Sequence, residues 1–165
     1  GTVRRARIAA LHNGAVLGFR LEWDDPSCET EIKDADQFVD GAAILLPVVP
    51  TAPLFLMGDP GRAVNAWYWR ADEGVAGHNV TAQGYGSTRI VDRNSVVCSQ
   101  AWHEGTWTVV ITRHLRLATT DPVAQLAPGA RLPYGIAIWE GGHQERAGLK
   151  SFALGREDLA VEAGA

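Results

Sequence analysis

Met57 is the sole methionine of the chain, and it stands in PLFLMGDPGRAVNAWYWRAD, the run from Pro53 to Asp72. A thioether is a neutral, soft ligand that suits a low-valent transition metal. Here it is followed by a Gly-Asp-Pro-Gly turn and by Trp67, Tyr68 and Trp69. Sulfur beside flat apolar surface suits a large aromatic cofactor with a metal at its centre. Toward the other end, PYGIAIWEGGHQERAGLKSF, from Pro133 to Phe152, carries Lys150, one of two lysines in the chain. A lysine binds a metal only as the neutral amine, so it must release a proton whose ordinary pKa is about 10.4. Gly58, Gly61 and Gly148 would let backbone approach a flat ligand closely. Taken without further context, the two residues read as a gap-filling core methionine and a solvated surface charge.

Other chemistry-bearing sets are sparse. The five histidines, His12, His78, His103, His114 and His143, show no i, i+2 or i, i+4 pairing and no H-E-x-x-H. They read as solvent-exposed, with His143, seven residues before Lys150, the main rival as a metal ligand. Gly84-Tyr85-Gly86-Ser87 is neither a nucleophile elbow nor, lacking its lysine, a phosphate loop. Asp24-Asp25-Pro26 reads as a turn rather than a carboxylate dyad. Cys28 and Cys98 offer neither a C-x-x-C-H site for covalent haem nor paired zinc spacings. They are open between one disulfide, contributing about 4 kcal/mol on the loop-entropy model, and two buried thiols. Nothing here makes the chain an enzyme by itself.

The Met57 and Lys150 segments together resemble the haem-b subunit of the type II dimethyl-sulfoxide-reductase family of molybdoenzymes, whose members include ethylbenzene, dimethylsulfide, chlorate and selenate enzymes. WTVVITRHL, from Trp107 to Leu115, looks like that family's W-x-V-x-x-x-R-x-L strand, and DADQFVDGAAILLPV, from Asp34 to Val48, looks like the strand preceding the methionine loop. The order and spacing of the segments agree as well. The resemblance implies a β-sandwich holding one haem b, with Met57 and Lys150 as axial ligands of the iron. In that setting Trp69 and Trp139 become candidates for the pocket wall, and Arg62, Arg70 and Arg146 either pair with haem propionates or are plain surface arginines. It further implies a non-catalytic electron-transfer subunit in a periplasmic or otherwise extracytoplasmic heterotrimer. An iron–sulfur subunit would connect this haem to a molybdopterin catalytic subunit, and a soluble carrier such as a cytochrome c would serve as donor or acceptor. Two other readings stand beside it: a carbohydrate-binding β-sandwich with Trp67, Trp102 or Trp139 as sugar platforms, and a stand-alone haem b carrier.

A chain of 165 residues is most simply one domain, residues 1–165, and buries about two-thirds of its unfolded surface. A net charge of −4 with mixed signs argues against nucleic acid, which needs a Lys/Arg-rich face. The longest apolar run, Ala42 to Val49, falls well short of the roughly eighteen residues of a membrane span. With no apolar signal region at its start, the chain reads as either mature and processed or made without its own export signal.

The elements that must position the candidates are short strands separated by Gly, Pro, Asn and Asp turns, which predicts an all-β, antiparallel two-sheet sandwich with the haem held by loops at one end. Strands are expected over 3–11, 17–23, 42–46, 63–70, 106–113 and 134–139, with weaker ones over 81–90 and 95–102. Asn13-Gly14 predicts a type I′ hairpin. Trp67 and Trp69 share one strand face, with Tyr68 opposite. Residues 34–38 suggest a helical turn, 72–86 and 119–133 loops, and 157–165 a mobile tail.

Overall fold

The computed structural model describes residues 1–163. Strands β1 (Ala6–His12), β2 (Val16–Asp24), β7 (Val97–His103) and β8 (Thr106–His114) form a four-stranded sheet in the order β1-β2-β8-β7. The second sheet runs β11-β10-β3-β4-β5-β6, from β3 (Gly41–Pro47), β4 (Val64–Arg70), β5 (His78–Ala82), β6 (Arg89–Asp92), β10 (Gly135–Trp139) and β11 (Ser151–Leu154). All pairings are antiparallel. The chain is thus the antiparallel two-sheet sandwich its alternation predicts.

Period-two alternation builds the core between the sheets. Leu17, Phe19, Leu21 and Trp23 of β2 and Trp107, Val109 and Ile111 of β8 face Ala42, Ile44, Leu46, Trp67 and Trp69 across it. Trp23, Trp69 and Trp107 meet edge-to-face or tilted, at centroid separations of 5.0 to 6.4 Å, the geometry that the ring quadrupole favours. Arg113, at the end of the W-x-V-x-x-x-R-x-L strand, is fully buried. It donates to Asn65 Oδ1 at 2.8 Å and to the carbonyls of His114, Leu115 and Ala124, and it lies 4.5 Å over Trp67. Burial pulls its pKa down to about 10, and it pins the segment after β8 with hydrogen bonds alone.

Several local expectations are corrected. The β1–β2 hairpin is closed by the Asn13 side chain, whose Oδ1 accepts from the N–H groups of Ala15 and Val16 at 3.0 and 2.9 Å. Only Gly14 there has positive φ, so the turn is not type I′. The two-residue turn with both φ values positive is Glu104-Gly105, between β7 and β8. The 72–86 loop contains β5, hidden in sequence because His78, Asn79 and Thr81 are polar yet buried. Asn79 Oδ1, for example, accepts from Asn65 Nδ2 at 2.7 Å. The weak strand over 81–90 is the end of β5, a glycine turn and β6. Residues 34–36 form a turn without helix. Cys28 and Cys98 are free thiols, exposed and buried respectively.

The expected mobile tail is also partly wrong. Leu159–Ala160 form β12, which pairs with β9 (Arg131–Leu132) inside the supposed 119–133 loop, and Leu159 and Val161 bury their side chains. Residues 164 and 165 lie outside the described residues.

A group of buried carboxylates ties the sheets to the β10–β11 connection. Asp40 Oδ2 accepts from Trp107 Nε1 at 3.0 Å and from the Glu29 N–H at 2.8 Å, while Oδ1 accepts from the Gly141 N–H at 2.8 Å. Asp25 lies beside it, fully buried rather than in an exposed turn, with Oδ2 unpartnered. Burial, followed by the charges of Asp40 and Glu140, pushes its pKa up to about 7. A carboxyl whose folded pKa exceeds its unfolded value of 3.8 contributes most below about pH 4, and that contribution is lost as pH rises through about 7, at about 1.4 kcal/mol per unit of displacement. Asp25→Asn, which retains an acceptor for the Ser27 N–H, should therefore gain stability relative to wild type between pH 5 and pH 8 in urea titrations. A difference that does not change with pH would show that Asp25 does not titrate in this range.

Candidate functional site

On the outer face of the six-stranded sheet, small side chains make a flat floor. Ala137, Ala43 and Tyr68 lie in one cross-strand row, and Gly135, Leu45, Ala66 and Val80 in the next. A second apolar cluster forms here, with Met57, Tyr68, Trp139 and Phe152 packed at its edge. The outcome is a cavity of about 310 Å³ lined by Ala43, Leu45, Ala66, Tyr68 and Val80 of this floor and by Met57, Tyr85, Trp139, Ala147, Gly148 and Lys150. It sits against the sheet face and is walled by loops, instead of lying among loops at one end of the sandwich.

The two expected ligand residues reach the cavity from opposite ends of the strands. The β3–β4 connection, carrying Met57, leaves from Pro47. The β10–β11 connection, carrying Lys150, leaves from Trp139, which pairs with Gly41 at the other end of β3. The two connections share one stretch of conformation, residues 54–62 in the first and 141–149 in the second. That stretch begins with a single 3₁₀ turn, Leu54–Leu56 or Gly141–His143, passes through a left-handed residue, Met57 at φ 59° or Gln144 at φ 58°, and ends with a short bridge, Asp59 to Arg62 or Arg146 to Leu149. Their hydrogen bonds correspond as well: Met57 N–H to Leu54 O and Gly58 N–H to Pro53 O match Gln144 N–H to Gly141 O and Glu145 N–H to Glu140 O. No sequence repeat announces this likeness. It places a capping loop of the same kind at each end of the floor.

Glycine is required beside the methionine. Gly58 has φ +84°, and a Cβ there would lie 2.7 Å from the carbonyl oxygens of Ala82 and Arg62. The Met57 carbonyl accepts from the Gly84 N–H at 2.9 Å, and Tyr85 Oη donates to Phe55 O at 2.9 Å, so the loop after β5 braces the methionine loop. Lys150 is half-buried, its Nζ 5.4 Å from the Trp139 ring centroid, and burial lowers its pKa. Trp139 is itself fixed by donating from Nε1 to Ala147 O at 3.0 Å and by an edge contact with Tyr68.

Of the expected site residues, the cavity unites Met57, Lys150 and Trp139. Trp69 is corrected: it faces the inter-sheet core, fully buried, with Nε1 donating to Gln100 Oε1 at 2.7 Å, and Tyr68 from the opposite strand face takes the wall position. His143 lines no part of this cavity; it is exposed, with Nδ1 2.8 Å from Glu140 Oε1. The expectation of exposed histidines fails at His78, which is buried between Glu73, at 2.6 Å, and the Tyr68 ring. Trp67 is fully buried and so is lost as a sugar platform. Sequence reasoning missed the floor residues Ala43, Ala66, Ala137 and Val80. For Ala43 the signal was the unbroken apolar run Gly41–Pro47, which marks a strand buried on both faces.

The donor set fits a flat macrocycle carrying a soft metal: one thioether, one amine eased toward neutrality, an apolar floor and aromatic walls, with no carboxylate or imidazole in the lining. A bare ion would need a cluster of His, Cys, Asp or Glu, and no group of three or more occurs among the described residues.

Across residues 1–95 and 87–151 the sequence matches the family described as ethylbenzene dehydrogenase. The chain belongs to this family. It is 37% identical over 159 residues to the chlorate reductase subunit gamma of Ideonella dechloratans, covering 93% of the chain and 64% of that protein. It is 32% identical over 151 residues to a putative respiratory nitrate reductase heme subunit of Haloferax mediterranei, and 31% identical over 142 residues to the dimethylsulfide dehydrogenase subunit gamma of Rhodovulum sulfidophilum. The chain spans 52% to 64% of the length of these relatives. A solved family 9 carbohydrate binding module from Caldicellulosiruptor kristjanssonii overlays with a TM-score of 0.45 at 10% identity, covering 92% of this chain and 77% of that one, too slight a likeness to bear on function. No helix among the described residues is long and apolar enough to cross a membrane.

Proposed function

We propose that the chain binds one non-covalent haem b in this cavity, with Met57 and Lys150 as the two axial ligands. The observation that carries the reading is that Met57 and Lys150, far apart in sequence, line one apolar cavity from opposite ends of its floor. When bound, the haem supplies a one-electron couple; the protein determines its orientation, exposure and potential. Met57 offers a neutral thioether, which favours ferrous iron and raises the potential. Lys150 must present its amine without the proton, and its partial burial lowers the cost of losing it. Tyr68, Trp139 and the alanines of the floor give the cavity an apolar lining that disfavours water.

In this reading the chain is the non-catalytic electron-transfer subunit of an extracytoplasmic molybdoenzyme heterotrimer. It exchanges electrons with an iron–sulfur subunit, which leads to the molybdopterin catalytic subunit, and with a soluble carrier such as a cytochrome c. Support comes from the names of its relatives, two gamma subunits and one heme subunit of oxidoreductases, and from the want of any catalytic set in the sequence.

Purified and reconstituted protein should give an intense Soret band. Met57→Ala and Lys150→Ala should shift that band and weaken haem retention by more than the roughly 10–100-fold that loss of an outer partner costs a metal site, with Met57→Ala also lowering the potential. Lys33→Ala, at an exposed residue paired with Glu31, and His143→Ala should change neither. A spectrum that depends on His143 and not on Lys150 would overturn the ligand assignment. In the native complex, substrate should change the redox state of this haem, while the isolated chain should not respond. A stable haem protein isolated without partner chains and indifferent to substrate in every reconstituted complex would leave the stand-alone carrier.

A further inference from the structure

We propose that Arg146 receives a carboxylate arm of the bound haem, in a side pocket that shares a wall with the main cavity; this rests on the haem reading and assigns a residue to its polar edge. The side pocket, of about 180 Å³, shares Tyr68, Trp139 and Ala147 with the cavity and is otherwise walled by residues that include Phe38, Arg70, Glu145 and Arg146. Haem b carries two carboxylates, and a carboxylate drawn from water needs a cation or several donors to offset its lost hydration. The main cavity holds one cation, Lys150, which the reading assigns to iron.

The arginines nearby differ in what already engages them. Arg62 is bound to both carboxylate oxygens of Asp59 and to Thr51 O. Arg70 forms a two-pronged pair with Asp72, at 3.0 and 2.8 Å, and reaches Glu73 at 3.4 Å. Arg146 has no ion pair among the described residues. Its guanidinium carbon lies over the Phe38 ring, 4.3 Å from the centroid, and the group donates one hydrogen bond, to Gln144 O at 3.2 Å. A planar fork with five donors, held in place by stacking and largely unengaged, suits bidentate carboxylate binding. Glu145 does not neutralise it: its buried carboxylate accepts from the Thr2 N–H and hydroxyl and from the Glu140 N–H.

Arg4 and Arg5 offer the competing site, in a groove of about 490 Å³. That groove shares only Lys150 with the main cavity and runs along Ile136 and Ile138, which face the opposite side of β10 from Ala137 and Trp139.

The test compares haem b with its dimethyl ester, which keeps the iron and ring but removes both charges. Each is reconstituted into wild type, Arg146→Ala, Arg146→Lys and the double variant Arg4→Ala/Arg5→Ala. Release to an excess of apomyoglobin is followed at the Soret band, with far-ultraviolet circular dichroism confirming the fold. Wild type should hold haem b about tenfold or more longer than the ester. Arg146→Ala should lose that preference while leaving ester release unchanged, and Arg146→Lys should keep part of it, because a point charge replaces the fork. The inference is overturned if Arg146→Ala keeps the wild-type preference, or if the preference disappears only in the Arg4/Arg5 variant; in both cases haem binding itself stands. If wild type binds neither compound with a Soret band, the haem reading and this inference fall together.

Discussion

The constraint on which the structure turns is that β3 is buried at all seven positions, on both faces. Its inner residues, Ala42, Ile44 and Leu46, close the sandwich core in the ordinary way. Its outer residues, Ala43 and Leu45, belong to a separate cluster that no third sheet covers. Leaving a leucine in water forfeits about 1.5–3 kcal/mol, so the outer face requires a roof. The neighbours Ala66 and Ala137 are too small to provide one. The roof comes from the two capping loops and the aromatic residues between them, and because they close over small side chains they enclose a space instead of filling it.

The likeness of the two capping loops gives that space its character. Both follow strands that pair through Ala43 and Ala137, and both tie their 3₁₀ turn back with the same hydrogen bonds. Their side chains are not alike. Met57 occupies the left-handed position of the first loop, where Gln144 stands in the second, and Lys150 follows the second loop's closing bridge. The shared turn therefore supplies two approaches to one floor, while sequence supplies a short thioether side chain on one side and a long basic one on the other. The buried Asp40, bonded to Trp107 in one sheet and to Gly141 at the start of the lysine loop, ties the second approach to the core.

Much of this was legible from residue order. Leu17 to Trp23 and Trp107 to Ile111 alternate cleanly because one face meets the core and the other meets water. The Trp67-Tyr68-Trp69 run shows where such reading stops. Period two states that the tryptophans share a face and that Tyr68 takes the other, but where both faces are buried it does not state which one lines the site. The cavity therefore received Tyr68, and Trp69 went to the core. β5 escaped notice because its buried Asn79 and Thr81 are satisfied by partners distant in sequence, Asp92 and Pro122, which composition cannot reveal. The loop pair was invisible for a related reason: left-handed positions held by methionine and glutamine carry no glycine signal.

The most direct test of the account is a crystal structure of the haem-reconstituted chain with the iron located by its anomalous scattering. The account predicts one iron over the alanine floor, within bonding distance of Met57 Sδ on one side and Lys150 Nζ on the other, with the Trp139 and Tyr68 rings against the macrocycle. An iron ligated by a histidine, or a haem seated away from the floor of β3, β4 and β10, would contradict it.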